Sequence, residues 1–346
     1  MSRKNVLVIG ANGYIGAAVC RAFTRAGYIV FGLVRRREAA ATLAINETIP
    51  VIGDLADPRG LQETLLAHSQ TFDVIVGCTE PADYETYIKH AITTIRGIAE
   101  VSNAHHVRPL VLWSSGCKDY GTTDVDGAPG LSPHTETSPL NAPALMSARA
   151  TNSPKMFEQT DLFDAAVLRP TNVFGHSSSY FGTIFEFAAT AAATGTQVLT
   201  LRNINPNSIM HALHVDDCAE AYLALAEHEN RAAVAGQAYN ISAAQYETAR
   251  EALKAVAKEY GFSQGSNFEQ GVKSTPTDES MALIFGFSQW VGSDKIRNLT
   301  GWRDRQMLFS ENLGVYRRSY DAAAALKSED VARIQARLES WGGEVF

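Results

Sequence analysis

Val6-Leu7-Val8-Ile9-Gly10-Ala11-Asn12-Gly13-Tyr14-Ile15-Gly16 decides the reading of this chain. The apolar run, rich in β-branched residues, predicts a strand buried on both faces. Three evenly spaced glycines follow it. Ala17, Ala18, Val19, Ala22 and Phe23 then continue as a helix. Strand, glycine turn and helix together make a dinucleotide-binding unit. Gly10 permits the tight turn, Gly13 lets the backbone approach a pyrophosphate, and Gly16 lets the helix sit close to the strand. The helix N-terminus offers free N–H groups and a positive dipole end to phosphates.

The rest of the chain is consistent with a soluble globular protein. Its 346 residues can bury a large core, and 45% hydrophobic with 19% charged residues is an ordinary balance. A net charge of −7 argues against a broad nucleic-acid surface. No apolar stretch approaches the ~18–20 residues of a membrane span. The first strand begins almost at once, so no signal peptide is expected. Cys20, Cys78, Cys117 and Cys218 are scattered without metal-ligand spacing, which predicts reduced thiols, a cytoplasmic protein and no metal site.

Strands are predicted at 28–34, 50–53, 72–76 and 109–113, separated by helices at 15–26, 38–44, 59–67 and 84–104. This alternation demands a doubly wound parallel sheet of α/β class, covered on both faces. Residues 116–143 read as a long loop, followed by a helix over 144–157 and a strand over 165–168. Beyond it a helix over 181–194, a strand over 197–201, a helix over 215–226 and a strand over 238–241 suggest a smaller lobe. The expected division is a Rossmann core over residues 1–175 and a substrate lobe over 176–346, partly threaded back onto the sheet.

The end of the second strand selects the cofactor. A carboxylate there would accept the ribose 2′-OH of NAD. The chain has Val34-Arg35-Arg36-Arg37 instead, and guanidinium groups grip a 2′-phosphate, so NADP is expected over NAD. Asp54, after the third strand, can reach the adenine amino group or cap a turn. The candidate cofactor-binding residues are Gly10, Asn12, Gly13, Tyr14, Ile15, Gly16, Arg35, Arg36, Asp54 and Leu55.

These features resemble the extended short-chain dehydrogenase/reductase family, also called NAD-dependent epimerase/dehydratases. The resemblance runs from residue 5 to about residue 320. Beyond the glycine spacing, it is carried by Trp113-Ser114-Ser115-Gly116, Asp119-Tyr120-Gly121, Ser138-Pro139-Leu140-Asn141, Leu168-Arg169-Pro170-Thr171-Asn172-Val173-Phe174-Gly175, His214-Val215-Asp216-Asp217, Tyr239-Asn240-Ile241 and Leu299-Thr300-Gly301-Trp302. It implies a homodimer formed through the helices over 84–104 and 144–157. It also implies a catalytic Tyr-x-x-x-Lys on the helix after the fifth strand, with a serine nearby.

The chain departs from that pattern, because tyrosine is absent from residues 121 to 179. One alignment puts Leu145 at the tyrosine and Arg149 at the lysine position; another puts Thr151 and Lys155 there. The first keeps the usual distance to Arg169 and is preferred. Ser115 is then the candidate substrate-binding hydroxyl, and Arg149 the candidate group for the nicotinamide ribose or a substrate carboxylate. Tyr120, on the loop leaving the same strand, is the leading replacement acid, ahead of His176 and His214. The expected function is NADP-dependent oxidation or reduction at a carbonyl or alcohol of a small organic molecule. A non-redox cyclase, isomerase or lyase on the same scaffold, and a silent NADP-binding sensor, stay open.

Overall fold

The computed structural model describes residues 3–177 and 179–341. Seven strands form the central sheet: β1 (Asn5–Ile9), β2 (Ile29–Val34), β3 (Ile49–Ile52), β4 (Val74–Gly77), β5 (Leu110–Ser114), β6 (Asp164–Pro170) and β7 (Gln237–Ile241). Their order across the sheet is β7-β6-β5-β4-β1-β2-β3, and every neighbouring pair is parallel. The order reverses at β1 and β4, and open α/β sheets bind ligands at such a switch point, beyond the carboxyl ends of the strands.

Alternate residues of each strand feed opposite cores, as a period of two requires. Val6, Val8, Val74, Val76, Leu110 and Leu112 face α1 (Tyr14–Arg25) and α5 (Val215–Glu227). Leu7, Ile9, Ile75, Val111 and Trp113 face α2 (Pro58–His68) and α3 (Tyr84–Ala104). A third apolar cluster, around Phe185, Phe285 and Phe309, belongs to the C-terminal half. That half returns to the sheet twice, through β7 on β6 and through α5 packed on α1.

Two local departures from the expected elements matter for the site. The helix expected over 144–157 ends as α4 (Ala144–Asn152), and a 3-10 turn, Ser153–Glu158, follows. Pro154 explains the break, since it lacks the N–H that would continue the ladder. The second is a π-helical turn, Ala282–Gly286, which the sequence does not announce. Such turns often occur at functional sites. The loop over 116–143 is tied down by backbone bonds from Thr123 to Ser288 and from His134 to Trp290.

Candidate active site

One cavity of about 960 Å³ runs from the glycine loop, past the end of β5, to α4 and the π-helical turn. Gly10, Asn12, Gly13, Tyr14, Ile15, Arg35, Arg36, Asp54 and Leu55 all line it. Gly10 has φ +79°, and a Cβ there would sit 2.5 Å from Thr79 Oγ1. Gly16 stands outside the lining, and a Cβ on it would lie 2.1 Å from the Gly10 carbonyl oxygen. The loop therefore has the tight turn and close helix approach that a dinucleotide cradle needs, and it fits such a cofactor. α1 carries no acidic residue in its first turn that would repel phosphate. Asp54 accepts a hydrogen bond from the Ala56 N–H at 2.9 Å while lining the cavity, so it caps a turn and faces the site at once. The Arg36 guanidinium pairs with Glu329 at 3.1 Å. Arg35 makes no ion pair among the described residues.

At the other end lies a buried charged network. The Asp119 carboxylate, wholly shielded from solvent, accepts from Ser115 Oγ at 2.5 Å and from Arg149 Nη2 at 2.6 Å. Arg149 Nε also donates to Asp119, and Arg149 Nη1 donates to Glu80. Burial opposes the Arg149 charge, but Glu80 and Asp119 outweigh it and hold the guanidinium protonated. Arg149 is thus no surface arginine, and most of its donors are committed within the protein. Ser115 is likewise engaged. It lines the cavity, and its hydroxyl donates to Asp119, so a substrate carbonyl would compete with that carboxylate for the proton.

The replacement acids proposed from sequence do not reach the cavity. Tyr120 is 2% exposed and absent from the lining. Its hydroxyl donates to Asn240 Oδ1 at 2.8 Å and accepts from Arg169 Nη1 at 2.9 Å. Burial, first, pushes its ionisation above the range useful at neutral pH. It is a pillar of the wall. Tyr120→Phe is accordingly expected to lower stability by about 1–3 kcal/mol, because Arg169 and Asn240 lose a buried partner. It should leave kcat unchanged; denaturant unfolding and turnover assays together check this. His176 and His214 also lie outside the cavity lining. They cluster with Asp216, whose carboxylate pairs with Arg21 at 3.0 Å and contacts His176 at 2.8 Å. His214 Nδ1 is already spent accepting the Asp216 N–H, and Gly175 packs against its Nε2. Lys155 falls on the 3-10 turn, also outside the lining.

The residue the sequence reading missed is Lys118. It lies on the 3-10 turn Cys117–Tyr120, which Gln289 fastens by donating to the carbonyls of Cys117 and Gly121. Lys118 lines the cavity, donates to the Leu283 carbonyl at 3.2 Å, and lies 4.4 Å from the centre of the Phe287 ring. Burial pulls its ammonium down to about 8; the Arg149 charge adds to this and Glu80 opposes it. A lysine between two glycine-containing loop stretches reads as solvated, and the π-helical turn that covers it is invisible in the sequence. Leu145, at the expected tyrosine position, does line the cavity and is half exposed into it. Pro143, Met146, Leu283, Ile284 and Phe287 make the surroundings largely apolar.

The sequence model of the NAD-dependent epimerase/dehydratase family matches residues 6–242, well over half of the chain. The chain belongs to that family. Its fold is similar to dTDP-glucose 4,6-dehydratase from Bacillus anthracis in complex with NAD, with a TM-score of 0.70 at 17% identity over 93% of this chain and 98% of the other. It is also similar to UDP-glucose 4-epimerase from Thermotoga maritima, with a TM-score of 0.68 at 16% identity over 92% and 99%. At these identities the likeness concerns the fold alone. A curated relative named fatty acid hydroxylase uhd1, from Mycosarcoma maydis, is 32% identical over 118 residues, which is 32% of this chain and 39% of that protein. The match spans less than half of that relative's length. Membership of this family of epimerase/dehydratase type implies a nicotinamide cofactor. Among the described residues, no helix is long and apolar enough to cross a membrane.

Proposed function

We propose that this family member is an NADP-dependent oxidoreductase that acts on a carbonyl or alcohol of a small, largely apolar organic molecule. The observation that carries the reading is that one cavity joins the glycine cradle to Lys118. Gly10, Asn12, Gly13, Tyr14 and Ile15 would hold the pyrophosphate, with Gly16 supplying the close helix. Arg35 would take the 2′-phosphate, with Arg36 beside it, and Asp54 and Leu55 would flank the adenine. The chemistry supplied by a bound nicotinamide would be hydride transfer to a carbonyl carbon or from an alcohol.

The protein's own part is proton handling and shape. Lys118, held near neutrality in its ionisation, donates a proton to the carbonyl oxygen in reduction and accepts one in oxidation. Ser115, Asp119, Arg149 and Glu80 act as a positioning network that fixes the turn carrying Lys118 and sets the local field. Leu145 and the apolar residues around it favour a substrate with few hydroxyls, unlike the nucleotide sugars named for the structural neighbours. The absence of a side-chain acid at Leu145 also favours a second, non-redox reading, in which the pocket orients a reactive substrate. Turnover without any change in NADPH absorbance would support that second reading over the first. The four cysteines are free, which supports a reducing compartment such as the cytoplasm. A homodimer through α3 and α4 is part of the same proposal.

The cofactor preference tests the Arg35 assignment. Calorimetric titration of both dinucleotides should give tighter binding of NADP than of NAD. Arg35→Ala should weaken NADP about tenfold or more and leave NAD nearly unchanged. Equal affinities in the unmodified protein would mean that the arginines only face solvent.

A further inference from the structure

The last described helix, α6 (Glu329–Trp341), lies across the glycine loop. Its residues Arg333 and Ile334 line the cavity. Arg333 Nη2 donates to the Asn12 carbonyl oxygen at 3.1 Å, and a Cβ built on Gly13 would lie 3.8 Å from Arg333 Nη1. The helix is anchored from several sides. Val331 is buried in the C-terminal core, Gln335 Nε2 donates to Glu186 at 2.5 Å, Ser177 Oγ donates to Asp330 at 3.4 Å, and Glu329 pairs with Arg36. Arg333 Nη2, the same nitrogen, also lies 3.2 Å from Asp330 Oδ1 on its own helix.

A cation therefore stands over the Asn12-Gly13 turn, where the first N–H groups of α1 also converge. It is supplied by an element more than three hundred residues away in sequence. Apart from Asp330 on its own helix, the guanidinium meets only a neutral carbonyl at the loop, and a phosphate oxygen is a stronger partner than a carbonyl. We propose that Arg333 is a ligand of the dinucleotide's pyrophosphate, so that α6 completes the cofactor site from the C-terminal lobe. This rests on the reading of the cavity as a dinucleotide site. On binding, the guanidinium exchanges the Asn12 carbonyl for a pyrophosphate oxygen, with the α1 N–H groups meeting the same anion from below.

The test uses the full chain and two probes, NADP⁺ and adenosine 2′-monophosphate; the second has no pyrophosphate. Arg333→Gln should weaken NADP⁺ about tenfold to a hundredfold while adenosine 2′-monophosphate binds as before. Arg333→Lys, which keeps the charge, should retain most of the NADP⁺ affinity. NADP⁺ affinity unchanged in Arg333→Gln would overturn the proposal and leave the dinucleotide reading intact. Equal weakening of both probes would also overturn it, because α6 would then only shape the site. An unmodified protein that binds neither NADP⁺ nor NAD⁺ would overturn the dinucleotide reading itself, and the proposal with it.

Discussion

Gly13→Val is expected to weaken NADPH binding by at least a hundredfold in a protein that still folds. The residue caps α1 with φ −80° and ψ 165°, a conformation open to any L-amino acid, so valine strains no dihedral. Its Cβ would begin 3.0 Å from the Gly10 carbonyl oxygen, and its two methyl groups would project over the loop toward Arg333. That is the space the pyrophosphate needs. The fold is secured elsewhere, by the packing of Ala18, Val19, Ala22 and Phe23 on the sheet. Gly16 is a poorer choice of variant, since a Cβ 2.1 Å from the Gly10 carbonyl would disrupt the loop itself. Nicotinamide fluorescence titration reads the affinity, and thermal unfolding reads the fold. Unchanged NADPH affinity in a folded variant would contradict the cradle.

Lys118→Met should lower kcat by about 10²–10⁴-fold, the usual range for removing a positioned acid or base, with cofactor affinity nearly unchanged. Methionine preserves most of the side-chain length and the contact with Phe287. The pH profile gives the sharper signature. With Lys118 titrating near about 8, its ammonium is present below that pH and lost above it. The kcat for carbonyl reduction should therefore be level on the acid side and fall as pH rises through about 8. The kcat for alcohol oxidation should rise through the same range, because the neutral amine is then the acceptor. A Lys118→Met enzyme with full turnover, or with the same pH profile, would remove Lys118 from the proton relay.

The sheet and the glycine turn that follows its first strand were legible because their determinants are local. A β-branched run and a glycine turn each act within a few residues, and α3 runs from Tyr84 to Ala104 as its pattern indicates. Pro154 is a local determinant as well, and the helix before it ends at Asn152. The chemical end of the cavity was not legible. Whether Tyr120 points to substrate or into the wall depends on Asn240 and Arg169, which reach it from β7 and β6. Whether Lys118 is solvated or covered depends on a π-helical turn more than a hundred and sixty residues away. Arg333 likewise meets the glycine loop only through the tertiary fold. Long-range packing, not residue type, assigns these roles.

The most direct test of the account is a crystal structure of the full chain with NADP bound. The account predicts the pyrophosphate on the Gly10–Gly16 loop and the nicotinamide ring beside Ser115 and Gly116. Lys118 Nζ should then face the substrate space next to the ring, within reach of one hydrogen bond or one bridging water. A nicotinamide lying outside the cavity, or one with Lys118 turned away behind Phe287 and out of reach, would contradict it.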